Sequence, residues 1–260
     1  MIDGYTHCGL SKYRPVADVL AVMRSVGLDR AVLCQHLGEY DNAYLAEVVA
    51  SNPATFAAVC LVDPTSPSAG IELEKWHTTG RFRGVRLLAE WLCDYESLWA
   101  RAVELGLTLV IYAPQGVANA APAIVRFVAA HPGARIVFTH LGNPQLRGVR
   151  LVETELLRLA SLKGVFVQLS GLSQFCEYPY AELHDFIREI VCEFGAPRIY
   201  WGSNYPVCGG EAAYRRDLLQ VANGGWELTP EQIQWITCRT AEQLWFPTSL
   251  SESGLALRRS

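Results

Sequence analysis

The chain has 260 residues, of which 50% are hydrophobic and 18% charged, and its formal net charge is -4. This composition indicates a globular protein with a large core, and the mild charge without a Lys/Arg cluster argues against nucleic acid or an anionic membrane as a partner. No apolar run is long enough to span a membrane, and we identify no basic leader with an apolar segment before the first predicted strand. We therefore expect a cytoplasmic protein.

Eight cysteines are spread along the chain without a CxxC pair. A disulfide framework or a structural zinc site would need clustered cysteines, so this spacing favours free, buried thiols. The cysteines are Cys8, Cys34, Cys60, Cys93, Cys176, Cys192, Cys208 and Cys238.

Short β-rich runs alternate with longer helix-like segments along the whole chain. Several runs are almost continuously apolar, for example residues 107–111, which is typical of parallel strands that are covered on both faces. The predicted strands are residues 2–7, 30–36, 56–62, 82–88, 107–113, 135–141, 164–170 and 198–204. The predicted helices, with Pro or Gly at their edges, are residues 15–27, 94–106, 119–131, 147–162 and 180–195.

Eight strand-then-helix units in this length predict an α/β fold of the (β/α)8 TIM barrel type, as a single domain over residues 1–260. We expect residues 247–260 to form a C-terminal tail. The alternative is an open doubly wound sheet. That fold would need a Gly-rich phosphate loop after the first strand, which residues 8–11 do not supply.

Polar side chains stand at most of the predicted strand ends, where a barrel of this type places its active site. Tyr5 and His7 lie two residues apart on a strand and so share one face. The full set of side chains at strand ends is Tyr5, His7, Gln35, His36, Asp63, Arg86, Tyr112, His140, Ser170, Ser203 and Asn204.

Six sequence motifs occur at these strand ends and near the end of the sequence. They are Ile-Asp-x-x-x-His at 2–7, Phe-Arg-Gly-Val-Arg-Leu at 82–87, Thr-His-Leu-Gly-Asn-Pro at 139–144, Leu-Ser-Gly-Leu at 169–172, Gly-Ser-Asn-Tyr-Pro at 202–206 and Thr-Ala-Glu-Gln-Leu-Trp-Phe at 240–246. In this order they resemble the amidohydrolase-related (amidohydrolase 2) family, which includes lactonases, decarboxylases and similar hydrolases. The resemblance covers essentially the whole chain.

The resemblance also implies a pattern of metal ligands, from which this chain departs. In metal-using members the first strand ends in His-x-His, the fifth and sixth strands end in His, and the eighth ends in Asp. His7 and His140 match that pattern, whereas Tyr5, Tyr112 and Asn204 occupy the other three positions. A phenol must lose a proton before it binds zinc, and an amide is neither charged nor basic. We therefore expect no catalytic metal and no other cofactor.

Two imidazoles, two phenols and a carboxamide remain at these positions. Imidazole can act as a base or an acid, and phenol and amide groups can donate hydrogen bonds to a developing oxyanion. We therefore predict that His7 and His140 are the acid/base residues. Tyr5, Tyr112 and Asn204 are predicted to polarise the substrate carbonyl. Cys8, which follows His7, is an alternative nucleophile, although neighbouring residues on a strand point to opposite faces.

The strand ends also offer candidates for substrate binding. Arg86 is predicted to anchor a substrate carboxylate or carbonyl, and the alternative is a structural arginine that pairs with a residue such as Glu90. The aromatic loop over 173–180, with Trp91 and Tyr205, indicates an apolar, planar substrate or an ordinary barrel lid. Two interpretations of His36 stay open: it is either a residue of the site or a surface residue. The predicted substrate-binding residues are Arg86, Ser170, Gln35, Tyr205 and Trp91.

Three functions stay open at this level. The first is a lactonase-like hydrolase acting on a lactone or ester. The second is a decarboxylase, isomerase or cyclase that uses the same groups, and the third is a binding protein without catalysis. The expected partner is a small molecule that is aromatic or bears a carboxylate, and association into a homo-oligomer is left open.

Overall fold

A computed structural model of the chain describes residues 1–147, 150–151 and 155–247. The predicted C-terminal tail lies outside these ranges from residue 248 onward. Eight parallel strands form one sheet in sequential order. The strands are β1 (Ile2–Thr6), β2 (Arg30–Cys34), β3 (Phe56–Cys60), β4 (Phe82–Leu88), β5 (Thr108–Tyr112), β6 (Ile136–Phe138), β7 (Val165–Leu169) and β8 (Ile199–Trp201).

A helix follows every strand. These helices are α1 (Val16–Ser25), α2 (Ala43–Ser51), α3 (Ala69–Thr78), α4 (Glu96–Glu104), α5 (Ala121–Ala130), α6 (Glu155–Arg158), α7 (His184–Phe194) and α8 (Glu211–Ala222). Short helices occur at Trp91–Asp94, Pro230–Gln234 and Thr240–Trp245, with a π-helical turn at Trp235–Arg239 between the last two. No helix in the described ranges has the length and apolar character needed to cross a membrane.

The sheet closes between its first and last strands. Thr6 forms a parallel bridge with Tyr205, and the His7 amide donates to the Tyr205 carbonyl at 2.8 Å. The Asn204 amide donates to the Tyr5 carbonyl at 2.9 Å. The predicted single-domain (β/α)8 barrel is therefore confirmed, with all eight predicted strands present, and the open doubly wound alternative is wrong.

The helix predicted over 147–162 is wrong at its N-terminal side. Leu146–Arg147 and Arg150–Leu151 form a small antiparallel ribbon instead, and helix begins only with α6. Residues 148–152 read Gly-Val-Arg-Leu-Val, and glycine and valine are weak helix formers. Positions 148–149 and 152–154 lie outside the described residues.

Alternation along the strands divides the core into an inner and an outer layer. On β2, Val32 and Cys34 belong to the barrel interior, whereas Ala31 and Leu33 pack against the helices. Trp245 from the last helix packs into the interior against Tyr200, with ring centroids 6.3 Å apart. The opposite, C-terminal end of the strands is left for polar side chains.

Asp3 on β1 joins the first strand to the last. Its carboxylate accepts from the Ser203 amide at 2.8 Å, from the Ser203 hydroxyl at 2.6 Å and from the Tyr214 hydroxyl at 2.8 Å. A fourth donor is the Tyr5 amide at 3.1 Å. Burial raises the pKa of Asp3 to about 6, and the hydrogen bonds from Ser203 lower it in part, so the group is ionised at neutral pH.

Asp3→Asn should lower the free energy of unfolding by about 2–3 kcal/mol, because the new amide group would face the Ser203 or Tyr214 donors without an acceptor. Urea denaturation measures this loss. Asp29→Asn, at an exposed position just before β2, is the control and should leave stability unchanged. A loss below about 0.5 kcal/mol for Asp3→Asn would contradict the role of Asp3 in closing the barrel.

Candidate active site

Side chains from five strands converge at the C-terminal end of the barrel, around Tyr5. The Tyr5 ring lies edge-on to His7 at 4.8 Å and to His140 at 5.4 Å between centroids. The Tyr112 ring lies 5.9 Å from His140. We call this set the central group, and its members are Tyr5, His7, Arg86, Tyr112, His140 and Asn204.

Hydrogen bonding fixes the tautomer of His7. Its Nδ1 lies 2.7 Å from the carbonyl oxygen of Cys34, which can only accept, so Nδ1 carries the proton in the neutral ring. Nε2 is therefore the unprotonated nitrogen, which can accept a proton or a hydrogen bond. The side chain of Asn204 also interacts with the His7 ring.

A hydrogen-bonded chain fixes the tautomer of His140 in the same way. The Ser170 hydroxyl donates to Gln168 Oε1 at 2.7 Å, so it accepts from His140 Nδ1 at 2.8 Å. The Gln168 amide in turn donates to the Tyr200 hydroxyl at 3.1 Å. His140 therefore also has an unprotonated Nε2 available. This places Ser170 behind His140, and its predicted contact with substrate stays a prediction.

The backbone around these residues is unusual. His140 and Asn204 both adopt left-handed conformations, with φ of 53° and 55°, at the ends of β6 and β8. Such angles are uncommon for residues other than glycine and cluster at functional sites. Gly171 has φ of 65°, and a Cβ there would lie 2.7 Å from His140 Nδ1, so glycine is required for the close approach.

Arg86 is buried at the centre of the site without a counter-ion. Its Nη1 donates to the Gln35 carbonyl at 2.9 Å, and its guanidinium carbon lies 5.9 Å from the Tyr5 ring centroid and 5.8 Å from that of Tyr112. Arg86 Nε has no hydrogen-bond partner. Within the described ranges no carboxylate forms an ion pair with Arg86, and this includes Glu90.

The Arg86 charge and burial together control the titration of the neighbouring groups. Burial lowers the pKa of His7 to about 3, and the Arg86 guanidinium contributes to that shift. The same two causes lower the pKa of His140 to about 3. Burial raises the pKa of Tyr5 well above its ordinary value. At neutral pH both imidazoles are therefore uncharged and Tyr5 is a hydrogen-bond donor. Its buried hydroxyl lies near the Cys34 thiol, a weak acceptor, and among the described residues it has no well-aligned hydrogen-bond partner.

The remaining predicted binding residues lie around the central group. The Gln35 side chain donates to the Asp41 carbonyl at 2.8 Å and belongs to the loop after β2. Tyr205 closes the barrel through its backbone, and its ring packs 6.0 Å from Tyr214. Trp91 is half-buried against the outer core. In the described part of the chain, neither ring is in contact with an aromatic or cationic side chain of the central group.

Sequence reasoning missed Tyr13, which lies in the loop between β1 and α1. Its ring stacks on His7 at 4.9 Å with 16° between the planes, and His36 lies edge-on to it at 5.3 Å. The available signal was an aromatic residue six positions after His7 in a strand-end loop. Cys8 is buried, and burial raises the pKa of its thiol to about 12, which disfavours the alternative Cys8 nucleophile.

Two clefts flank the central group. One, of about 340 Å³, borders Tyr112 and includes Phe175 of the predicted aromatic loop, together with Asn143 and Gln174. The other, of about 170 Å³, lies at the ends of β1 and β2 beside Cys8 and His36. The predicted aromatic loop thus contributes to the rim of the site.

The donor set does not fit a divalent metal ion. Within residues 1–147, 150–151 and 155–247, no group of three or more His, Cys, Asp or Glu side chains is arranged to hold one. His7 and His140 are two good ligands, but no carboxylate joins them and the Arg86 charge would repel a cation. The metal pattern implied by the resemblance is therefore not available from these side chains.

Comparison with known protein families shows to which family this chain belongs. A family model described as "Amidohydrolase" matches residues 6–246. The chain belongs to this family. It is 26% identical over 200 residues to the L-fucono-1,5-lactonase of Burkholderia ambifaria, an alignment that covers 73% of this chain and 69% of the relative. The predicted family and hydrolase-like enzyme class are confirmed, with a lyase as the alternative.

Solved amidohydrolase-type structures share the fold. A probable 2-pyrone-4,6-dicarboxylic acid hydrolase of Acinetobacter baumannii, crystallised with citric acid, superposes with a TM-score of 0.74 at 15% identity and covers 94% of this chain and 98% of that one. The 5-carboxyvanillate decarboxylase of Sphingomonas paucimobilis gives a TM-score of 0.67 at 17% identity, over 91% and 84% of the two chains. Both likenesses concern the barrel itself.

Lowering the pH should destabilise the fold through His7 and His140. The pKa of each is 6.5 when exposed and about 3 in the folded protein, so between these values only the unfolded chain binds the protons. Their contribution is complete above pH 6.5 and is lost as the pH falls. Each histidine should account for about 2 kcal/mol of lost stability between pH 7 and pH 5.

Urea denaturation of the wild type and of His140→Gln across this pH range measures the effect, because glutamine does not titrate. Asp3 changes stability in the opposite sense, since its pKa is raised, but it is present in both proteins and cancels in the difference. His184→Gln, at a half-exposed position on α7, is the control and should keep the wild-type slope. Equal slopes for the wild type and His140→Gln would contradict the lowered pKa.

Proposed function

We propose that this amidohydrolase hydrolyses a cyclic ester that carries a carboxylate, and that it does so without a metal ion. The observation that carries this proposal is the buried, unpaired guanidinium of Arg86 beside the two imidazoles. A buried charge without a counter-ion is strongly unfavourable, and a substrate carboxylate would supply the missing partner.

The chemistry of the site favours an anionic substrate over a neutral one. Arg86 Nε and the Tyr5 hydroxyl are buried donors without well-aligned acceptors, so the ligand they fit is rich in acceptor oxygens. Of the two lactones in the names of the similar proteins, L-fucono-1,5-lactone is uncharged, whereas 2-pyrone-4,6-dicarboxylate is a planar cyclic ester with two carboxylates. The second type matches the donors and the charge of this site.

In the proposed reaction, one imidazole Nε2 takes a proton from water while the water oxygen bonds to the lactone carbonyl carbon. The resulting oxyanion accepts hydrogen bonds from the Tyr5 hydroxyl and from the amide group of Asn204. The ring C–O bond then breaks, and the imidazolium returns its proton to the leaving oxygen. The product is an open chain with one hydroxyl and one new carboxylic acid, which releases its proton to solvent at neutral pH.

The substrate carboxylate has a second role in this scheme. An imidazole with a pKa of about 3 is a weak base, and Arg86 is one cause of the low value. A carboxylate bound to Arg86 neutralises that charge and raises the pKa of both histidines. Both imidazoles are therefore stronger bases with such a substrate bound than without it, while burial continues to lower their pKa.

A lyase is the second candidate, and Asn204 is the observation that favours it. Asn204 stands where metal-using relatives of the resemblance place a water-activating Asp, and an amide cannot take a proton from water. Turnover in oxygen-18 water separates the two candidates, because only hydrolysis transfers the label to the product. A complete absence of turnover would leave a binding protein.

Arg86→Met should raise the KM for 2-pyrone-4,6-dicarboxylate by about tenfold to a hundredfold with a smaller change in kcat, because an anchor binds ground state and transition state alike. Loss of the pyrone absorbance measures the rate. Arg83→Met, at an exposed position on the same strand, is the matched control. Faster turnover of L-fucono-1,5-lactone than of the dicarboxylate in the wild type would overturn the proposed substrate class.

His7→Gln and His140→Gln should each lower kcat by about 10²-fold, in line with the usual contribution of an acid/base group. Each protein is assayed before and after dialysis against a chelator, and wild-type activity is expected to be the same in both. Loss of wild-type activity on dialysis, restored by zinc, would overturn metal independence. Near-normal kcat in both variants would place the chemistry on other residues.

A further inference from the structure

Tyr13 lies against the central group from the loop that follows β1, and its side chain is half-exposed. It belongs to the loop over residues 8–14, which is closed by a hydrogen bond from the Gly9 amide to the Arg14 carbonyl at 3.0 Å. The Tyr13 ring lies flat on His7, whose own ring is held by the Cys34 carbonyl. Tyr13 therefore covers one face of His7 in a fixed orientation.

The charge environment of Tyr13 is that of the site and not of the surface. Its phenol interacts electrostatically with the Arg86 guanidinium and with the phenol of Tyr5. Burial raises the pKa of Tyr13, so the hydroxyl keeps its proton and acts as a donor at neutral pH. Among the described residues this hydroxyl has no hydrogen-bond partner.

Among the described residues, three hydrogen-bond donors at this site lack a well-aligned acceptor, and they reach the site from different sides. Arg86 Nε and the Tyr5 hydroxyl are buried and belong to the barrel side, whereas half-exposed Tyr13 approaches from the loop. The outer face of Tyr13 meets the Lys12 ammonium at 5.6 Å from its centroid. Lys12 therefore adds a second positive charge on the loop side of the site, which favours the approach of an anion there.

We propose that Tyr13 is a substrate-binding residue, which donates its hydroxyl to the carboxylate held by Arg86 and covers His7 with its ring. This inference rests on the proposed function for the charge of the ligand. It assigns the solvent side of the site to one loop residue. The two parts of the Tyr13 side chain have separate tasks, the hydroxyl in affinity and the ring in shielding.

The affinity part is tested with isophthalate, a planar and unreactive dicarboxylate, by titration calorimetry. Tyr13→Phe should weaken binding about tenfold, because one hydrogen bond to a charged group is lost while the stacked ring stays. Tyr40→Phe removes an exposed tyrosine hydroxyl from the neighbouring loop after β2 and should bind as the wild type does. Equal affinity of Tyr13→Phe and wild type would overturn this role of the hydroxyl.

The same titration with Arg86→Met keeps the two proposals apart. Loss of isophthalate binding in Arg86→Met with wild-type affinity in Tyr13→Phe would leave the anion site intact and refute only the role of Tyr13. Wild-type affinity in Arg86→Met, or no binding by the wild type itself, would refute the anion site and with it the hydroxyl contact.

The shielding part needs no ligand. Diethyl pyrocarbonate modifies neutral imidazoles, and mass spectrometry of the peptide that contains His7 reports its rate. Tyr13→Ala should speed modification of His7 at least fivefold, whereas Tyr13→Phe should leave it unchanged, and His184 serves as the internal control. Equal rates at His7 in the wild type and Tyr13→Ala would show that the ring does not cover His7 and would overturn the proposal.

Discussion

A single buried positive charge, the guanidinium of Arg86, lies at the centre of the candidate site. It packs between the rings of Tyr5 and Tyr112, and among the described residues it has no carboxylate neighbour and its Nε has no hydrogen-bond partner. Burial lowers the pKa of both imidazoles, and the Arg86 guanidinium adds to that shift, so the two rings are neutral at neutral pH. The anionic substrate of the proposed function would supply the missing counter-charge.

The same charge explains how the site can differ from the metal pattern that the sequence resembles. A divalent ion needs several electron-rich ligands, and phenol and amide groups at Tyr5, Tyr112 and Asn204 are poor ones at neutral pH. The rings of Tyr5 and Tyr112 instead stabilise a fixed monovalent cation, since aromatic faces attract a guanidinium. Under the proposed metal-free reaction, the fixed Arg86 charge would bind and orient the substrate, and an imidazole would activate the water.

Much of this architecture was predictable from sequence because strand ends are marked by a change from apolar to polar residues. All eight strands and the convergence of Tyr5, His7, Arg86, Tyr112 and His140 followed from that change. Side-chain direction after the strand was not predictable: Gln35 turns into its loop, and Tyr13 folds back onto His7. Such directions depend on tertiary contacts. The helix predicted over 147–162 was started too early, because the weak helix propensity of residues 148–152 was not taken into account.

The seam between β1 and β8 connects residues about two hundred positions apart, through Asp3 on one side and Ser203 on the other. It also carries Tyr5, His7 and Asn204, so the long-range contact that closes the barrel also brings the residues of the candidate site together. Contacts between distant parts of a chain carry the largest loop-closure entropy and tend to form late. A growing chain on the ribosome would therefore hold seven strands and no site, and ligand binding would begin only with the eighth.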